Sequence, residues 1–181
     1  MKTYKKEEII LKAAQIIRDE GYDRLTLSSL AAKMNMQKAS LYYYFDSKDD
    51  LMDSIYTYFE EDCLHLGFSV DFSLSPEEIF STALSHWKSI FSDRKRSCFI
   101  SLIEQRKEID ERAFDDANAF YLMIQSQSKA VISILNERHL LNVPSVKTVS
   151  TMFSNTIYNA LVNECLDPEV FIRDFLSAFS I

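Results

Sequence analysis

The sequence predicts an all-α protein of about nine helices. Three observations carry that expectation. Only two glycines and three prolines occur in 181 residues, too few for a turn-rich β fold. Apolar residues recur at helical spacing along most of the chain. Both glycines fall one position past a predicted helix, where glycine ends helices well. Hydrophobic residues make up 47% and charged residues 26%, enough for a sizeable core under an ordinary surface.

Taken in order, residues 6–20 (KEEIILKAAQIIRDE) place Ile9, Ile10, Ala13, Ile16 and Ile17 on one helical face. Gly21 follows at a position that favours positive φ, and Tyr22 packs back over the helix end. Lys2, Lys5 and Lys6 lead in as a solvated tail or as phosphate contacts. Thr26 is an N-cap candidate for a short helix over Leu27–Lys33, with Leu27, Leu30 and Ala31 inward. Met34-Asn35-Met36 breaks the pattern, and Asn35 suits a left-handed turn position. A new helix runs from Gln37 to Tyr44 or Phe45. Asp46 or Ser47 then caps a helix that continues to Leu66, and Gly67 ends it.

Residues 68–75 (FSVDFSLS) alternate as a strand would, but no second strand-like run exists to pair with them. They are expected to form an extended loop whose Phe68, Val70, Phe72 and Leu74 cover the core. Ser75-Pro76-Glu77-Glu78 starts the next helix with proline at the first turn and a capping box. That helix carries Ile79, Phe80, Ala83, Leu84, Trp87 and Phe91 up to the charged stretch 92–96. Further helices are expected over 97–107 and about 110–139, the latter with a spine of Phe114, Ala117, Tyr121, Ile124, Ser128, Val131 and Leu135. Asn142-Val143-Pro144 breaks it. The last two helices cover about 145–166 and, after Asp167, 168–180.

The stretch 25–51 carries the chemistry. On a wheel of ~100° per residue, Leu41, Tyr44 and Phe45 fall together and face the preceding helices. Lys38, Ala39, Ser40, Tyr42 and Tyr43 cover the opposite arc, and Gln37 sits at the leading end. That arc suits a helix lying in a major groove. Ala39 allows close approach, Lys38 reaches guanine acceptors and Ser40 reaches a base edge. The hydroxyls of Tyr42 and Tyr43 can hold phosphates. The alternative for the two tyrosines is an aromatic cover over a neighbouring helix. Thr26 and Lys48 stand at helix N-termini, where backbone N–H groups favour phosphate. This is a helix-turn-helix head, residues 1–47, followed by a helical body, residues 48–181.

Over the 26 residues from Thr26 to Leu51 the sequence resembles the DNA-binding signature of the TetR (tetracycline-repressor-like) family. The matching residues are Thr26, Leu30, Ala31, Lys38, Leu41, Tyr42, Tyr44, Phe45, Ser47, Lys48 and Leu51. The first helix with Gly21-Tyr22 fits as well. Asn35 stands where the family usually has glycine, and Tyr43 where it often has histidine. The resemblance implies a DNA-binding transcriptional regulator: a homodimeric, ligand-responsive repressor that releases double-stranded operator DNA on effector binding. It implies pairing through helices about 145–166 and 168–180, whose apolar faces read equally as intrachain core. It also implies a small-molecule effector pocket in the body. His86, Trp87, Phe99, Phe120, Tyr121, Met123 and Phe153 are candidate lining residues, although an aromatic stripe at helical spacing also reads as plain core. The competing expectation is a coactivator or interaction module whose body binds a partner protein.

The net charge of −7 divides unevenly: residues 1–48 carry +3 and the remainder −10, a basic head on an acidic body. Cys63, Cys98 and Cys165 form no C-x-x-C pair and are expected to be reduced, half-buried packing residues. His65, His86 and His139 share no ligand cluster, so no metal and no cofactor are expected. Neither a nucleophile elbow nor a phosphate-cradling glycine loop appears, which argues against an enzyme. No apolar run is long enough for a membrane span and no signal-peptide core follows the basic start, so a cytoplasmic location is expected.

Overall fold

The computed structural model describes residues 5–63, 66–67, 69–163 and 165–181, and among these every long element is helical. The order is α1 (Lys6–Glu20), α2 (Leu27–Lys33), α3 (Lys38–Leu41), α4 (Lys48–Cys63), α5 (Pro76–Ser92), α6 (Arg96–Arg106), α7 (Glu111–Glu137), α8 (Val146–Asn163) and α9 (Pro168–Phe179). The chain divides into two compact units, residues 1–65 with 93–117, and residues 66–92 with 118–181.

In the first unit α1 buries Ile9, Ile10, Ala13, Ala14, Ile16 and Ile17 against α4 and α6. Gly21 ends it at φ 95°, and the Gly21 N–H donates to the Ile17 carbonyl at 2.9 Å. That φ is cheap for glycine and strained for any residue with a Cβ. A 3₁₀ turn over Tyr22–Arg24, which periodicity does not reveal, then leads to α2. Thr26 caps α2 as expected. Its Oγ1 accepts from the Ser29 N–H at 2.9 Å, and the Ser29 hydroxyl accepts from the Thr26 N–H at 2.9 Å.

Asn35 sits at φ 53°, the left-handed pivot the sequence calls for. After it α3 is shorter than expected, four residues followed by a turn over residues 42–44. The N–H groups of Tyr44 and Phe45 both converge on the Leu41 carbonyl, at 2.9 and 3.0 Å, so the helical ladder stops there. Ser47 starts α4 by accepting from the Asp50 N–H at 3.1 Å. The expected run of α4 to Leu66 passes through residues 64–65, outside the described residues, and Leu66 itself is not helical.

In the second unit α5 packs on α8 and α9 around a cluster of rings. Phe153 of α8 lies 5.2 Å from Phe80 and 4.9 Å from Phe175, centroid to centroid. Ser75 and Glu78 form the capping box at the start of α5, with the Ser75 N–H donating to Glu78 at 2.9 Å. His139 at φ 59° ends the α7 run, and the Asn142 N–H donates to the Phe179 carbonyl at 2.7 Å, tying the α7–α8 link to the end of α9. Asp167 caps α9 by accepting from the Glu169 and Val170 N–H groups at 2.9 and 3.4 Å.

Three expectations about burial are corrected. Phe114 is 55% exposed and so lies outside the α7 spine, because it faces outward while Ala113 of the same turn is fully buried. The 69–75 loop does not seal the core as a whole: Leu74 is exposed, and Val70 and Phe72 are half-buried. Asp71 folds the loop into a turn, accepting from the N–H and hydroxyl of Ser73 at 2.9 and 2.7 Å, and this turns Leu74 outward. Phe68 lies outside the described residues. Of the cysteines, Cys98 is buried as expected but Cys165 is exposed, since it follows α8 in a link and not in a packed helix. The side chain of Cys63 lies outside the described residues.

Candidate nucleic-acid interface

The short third helix and the turn after it divide into an enclosed and an exposed side. Leu41 is 0% exposed and Phe45 1%, while Tyr42 is 48% and Tyr43 86% exposed. Gln37, Lys38 and Ala39 are exposed too, Ser40 is half-buried, and Tyr44 is half-buried edge-on to Tyr43 at 5.3 Å. Gln37 is the N-cap and lies in extended backbone, at φ −72° and ψ 138°. The Lys38 ammonium sits 5.9 Å from the centre of the Tyr42 ring. Burial explains the arrangement. A four-residue helix has no stability of its own, so Leu41 and Phe45 must seat it against α2, and the remaining side chains are left outward. Thr26 is exposed at the start of α2 with its hydroxyl engaged as the cap.

Lys48 is not brought to this face. Its ammonium donates to the Tyr22 carbonyl at 3.3 Å and lies 3.9 Å from the centre of the Tyr22 ring. Burial there lowers its pKa from the usual lysine value. The Arg106 guanidinium lies 4.0 Å from the same ring. Gln105 completes the grip. Its Oε1 accepts from the Tyr22 N–H at 2.9 Å and its Nε2 donates to the Ile17 carbonyl at 3.3 Å. One side chain of α6 thus binds both sides of the α1–α2 turn. Lys6 is also partly engaged, its ammonium 5.1 Å from the centre of the Phe45 ring. Gln105 and Arg106 escape sequence reasoning because they stand more than eighty residues from Tyr22 and look like ordinary polar helix positions.

The seven pocket candidates fall in both units. Phe99 lies in the first unit, stacked on Phe59 at 5.0 Å. The other six lie in the second. Trp87 is 1% exposed and donates through Nε1 to Gln127 at 2.6 Å. His86 Nε2 is 3.2 Å from the Leu66 carbonyl, and the Tyr121 hydroxyl accepts from Gln125 at 3.1 Å. Phe120 packs on Phe91 at 5.8 Å, and Met123 is half-buried on α7. Phe153 also borders a groove of about 290 Å³ between α8 and α9, with Val149, Met152 and Phe175. No group of three metal-ligating side chains occurs among the described residues, and none of their helices is long and apolar enough to cross a membrane.

Three short helices, a left-handed pivot and an outward-facing third helix define a helix-turn-helix head on an all-helical body. Residues 9–55 match the model of the bacterial regulatory proteins of the tetR family. Over these residues the chain is similar to a family of transcriptional regulators. It is 44% identical over 48 residues to IcaR of Staphylococcus aureus (strain Newman), the negative transcriptional regulator of a biofilm operon, covering 26% of each chain. It is 36% identical over 69 residues to IcaR of Staphylococcus epidermidis, covering 38% of this chain and 34% of that one. The chain therefore spans about a quarter to a third of the length of these relatives. Over its whole length the fold is similar to a TetR-family regulator from Agrobacterium tumefaciens, with a TM-score of 0.67, 16% identity and 97% of each chain covered. It is also similar to the ketosteroid regulator KstR2 of Mycobacterium tuberculosis, with a TM-score of 0.62, 12% identity, and 100% and 97% covered.

Proposed function

We propose that this protein is a homodimeric repressor that binds operator DNA through Gln37, Lys38, Ala39, Ser40, Tyr42 and Tyr43, and releases it when the body takes up an effector. The single observation that carries the reading is the exposure split across α3 and the turn after it, with Tyr43 86% exposed two residues from a fully enclosed Leu41. Ala39 admits close approach to a groove floor, Lys38 reaches base edges, and the tyrosine hydroxyls reach phosphates. Thr26 contributes at the N-terminus of α2. Lys48 reaches a phosphate only by leaving the Tyr22 ring, so its first part is to fix the α1–α2 turn.

The negative sign of regulation is taken from the IcaR relatives. Residues 1–47 serve as reader and 48–181 as the dimerising, effector-binding body. The pairing surface is the outer side of α8 with α9. From Thr148 to Asn163, α8 carries no charged residue, and Met152 stands 65% exposed on it. On the α8 side, covering such a face removes no charge from water, so that part of the association costs little desolvation. In the dimer the two α3 helices lie about one DNA turn apart. An effector acts through its differential affinity for the DNA-fitting and non-fitting spacings.

Fluorescence anisotropy of the purified protein with its own upstream DNA tests the proposal. The expected result is sequence-selective binding that weakens steeply with salt. Binding that does not distinguish this DNA from bulk competitor refutes the reader assignment. Binding that requires a second protein favours an interaction module instead. Light scattering should give a dimer that Met152→Lys breaks into monomers.

A further inference from the structure

A groove between α1 and the start of α6 takes no part in DNA reading, pairing or the pocket candidates. It offers about 360 Å³, the lower end of the range for small-molecule sites, and is open to solvent along one side. Lys12 and Arg18 line it from α1, and Arg94 and Lys95 from the approach to α6, over Leu11 and the buried Cys98. Glu8 is the one carboxylate in the lining. Four cations against one anion is a local excess in a chain whose net charge is −7.

Several of these cations are held in place by partners that leave donors free. Lys12 spends one N–H on the neutral Gln15 amide at 3.1 Å. Arg18 bonds Asp19 at 2.9 Å through Nε and the Ser97 hydroxyl at 3.3 Å through Nη1. Lys95 donates to the Tyr58 hydroxyl at 3.2 Å and stays 3.7 Å from Glu7. Arg94 is exposed and has no ion-pair partner among the described residues. α1 and the approach to α6 therefore present positive charge to one open groove.

We propose that this groove binds a small polyanion, a compound bearing two or more phosphate or carboxylate groups that bridge α1 and α6. Charge-assisted hydrogen bonds from Lys12, Arg18, Arg94 and Lys95 hold the anionic groups, and Leu11 and Cys98 give the apolar floor. The assignment rests on the groove itself and stands whether or not α3 reads DNA.

The test is calorimetric titration of the full chain with pyrophosphate and, separately, citrate, at constant ionic strength and without DNA. Saturable binding at one site per chain is expected for at least one of the two, and which one distinguishes phosphate from carboxylate recognition. Lys12→Gln with Arg94→Gln should weaken it about tenfold or more. Both residues stand at the surface with no tertiary partner, and Arg94→Gln alone carries the same test if the pair disturbs folding. Lys38→Ala should leave the titration unchanged. Heats that never saturate, binding equal in the double variant, or loss on Lys38→Ala, which would place the anion on the DNA-reading face, each overturns the proposal.

Discussion

Replacing Leu41 by alanine tests which way the recognition helix faces. Leu41 is 0% exposed, so the change removes three buried carbons. Their transfer from water is worth ~0.8 kcal/mol each, and the cavity left behind brings the cost to about 2–5 kcal/mol. The helix that carries Leu41 is four residues long and cannot stand without that contact. For a chain of this size each kcal/mol is worth ~2–4 °C, so a loss of ~3 kcal/mol lowers the melting temperature by about 6–12 °C. Tyr43→Ala is the control. At 86% exposure its loss should change stability by less than about 0.5 kcal/mol. Operator affinity should nevertheless fall about tenfold or more, the equivalent of ~1.4 kcal/mol. Thermal unfolding by circular dichroism and anisotropy on the same samples separate the two effects. A Leu41→Ala protein with wild-type melting and no DNA binding, or a Tyr43→Ala protein that melts early, means that the helix faces the other way.

The other expectations concern affinity, the α6 grip and pH. Lys38→Ala should cost ~1–3 kcal/mol of operator affinity and relax selectivity at one base position, which a set of single-substituted operators reads out. Gln105→Ala removes the bonds to the Tyr22 N–H and the Ile17 carbonyl, with ~1–2 kcal/mol expected. Hydrogen exchange should quicken at Tyr22 while α9 amides keep their protection. Asp116 is a half-buried carboxyl that burial and the nearby Glu60 raise from 3.8 to about 6. Its folded form holds the proton more tightly than the unfolded chain, so its contribution to stability is present below the unfolded value and is lost as pH rises through the folded one. Asp116→Asn should remove that loss, on the order of 1 kcal/mol after allowing for solvent screening. Urea midpoints for both proteins across this pH window check it; curves that stay parallel refute the assignment.

Local rules made much of the head legible in the sequence. Gly21, Thr26, Asn35 and Ser47 are punctuation whose chemistry acts within a few residues, and each does in the structure what its residue type favours. The same holds for the capping residues of α5 and α9. Periodicity also separated Leu41 and Phe45 from Lys38, Tyr42 and Tyr43, because a helix wheel is a local property. What escaped depends on distant partners. Nothing near Lys48 in sequence says that its ammonium rests on Tyr22, and nothing near Gln105 says that it bridges the α1–α2 turn. Phe114 has the right spacing for a spine but faces outward while its neighbour Ala113 takes the buried position, and Asp71 overrides a strand-like alternation with a turn. The aromatic stripe behaved likewise: spacing cannot tell that Phe99 stacks in one unit while Phe153 joins a ring cluster in the other.

The hold of α6 on the α1–α2 turn bears on portability. A fragment cut after residue 47 would keep every side chain proposed to touch bases. It would lose Lys48, Gln105 and Arg106, and with them the cover over much of the apolar face of α1. Such a reader grafted onto another dimeriser would arrive with Ile16 and Ile17 seeking a substitute surface. A transplant that works has to take α4 and α6 along, so the smallest movable piece of this protein is discontinuous in sequence.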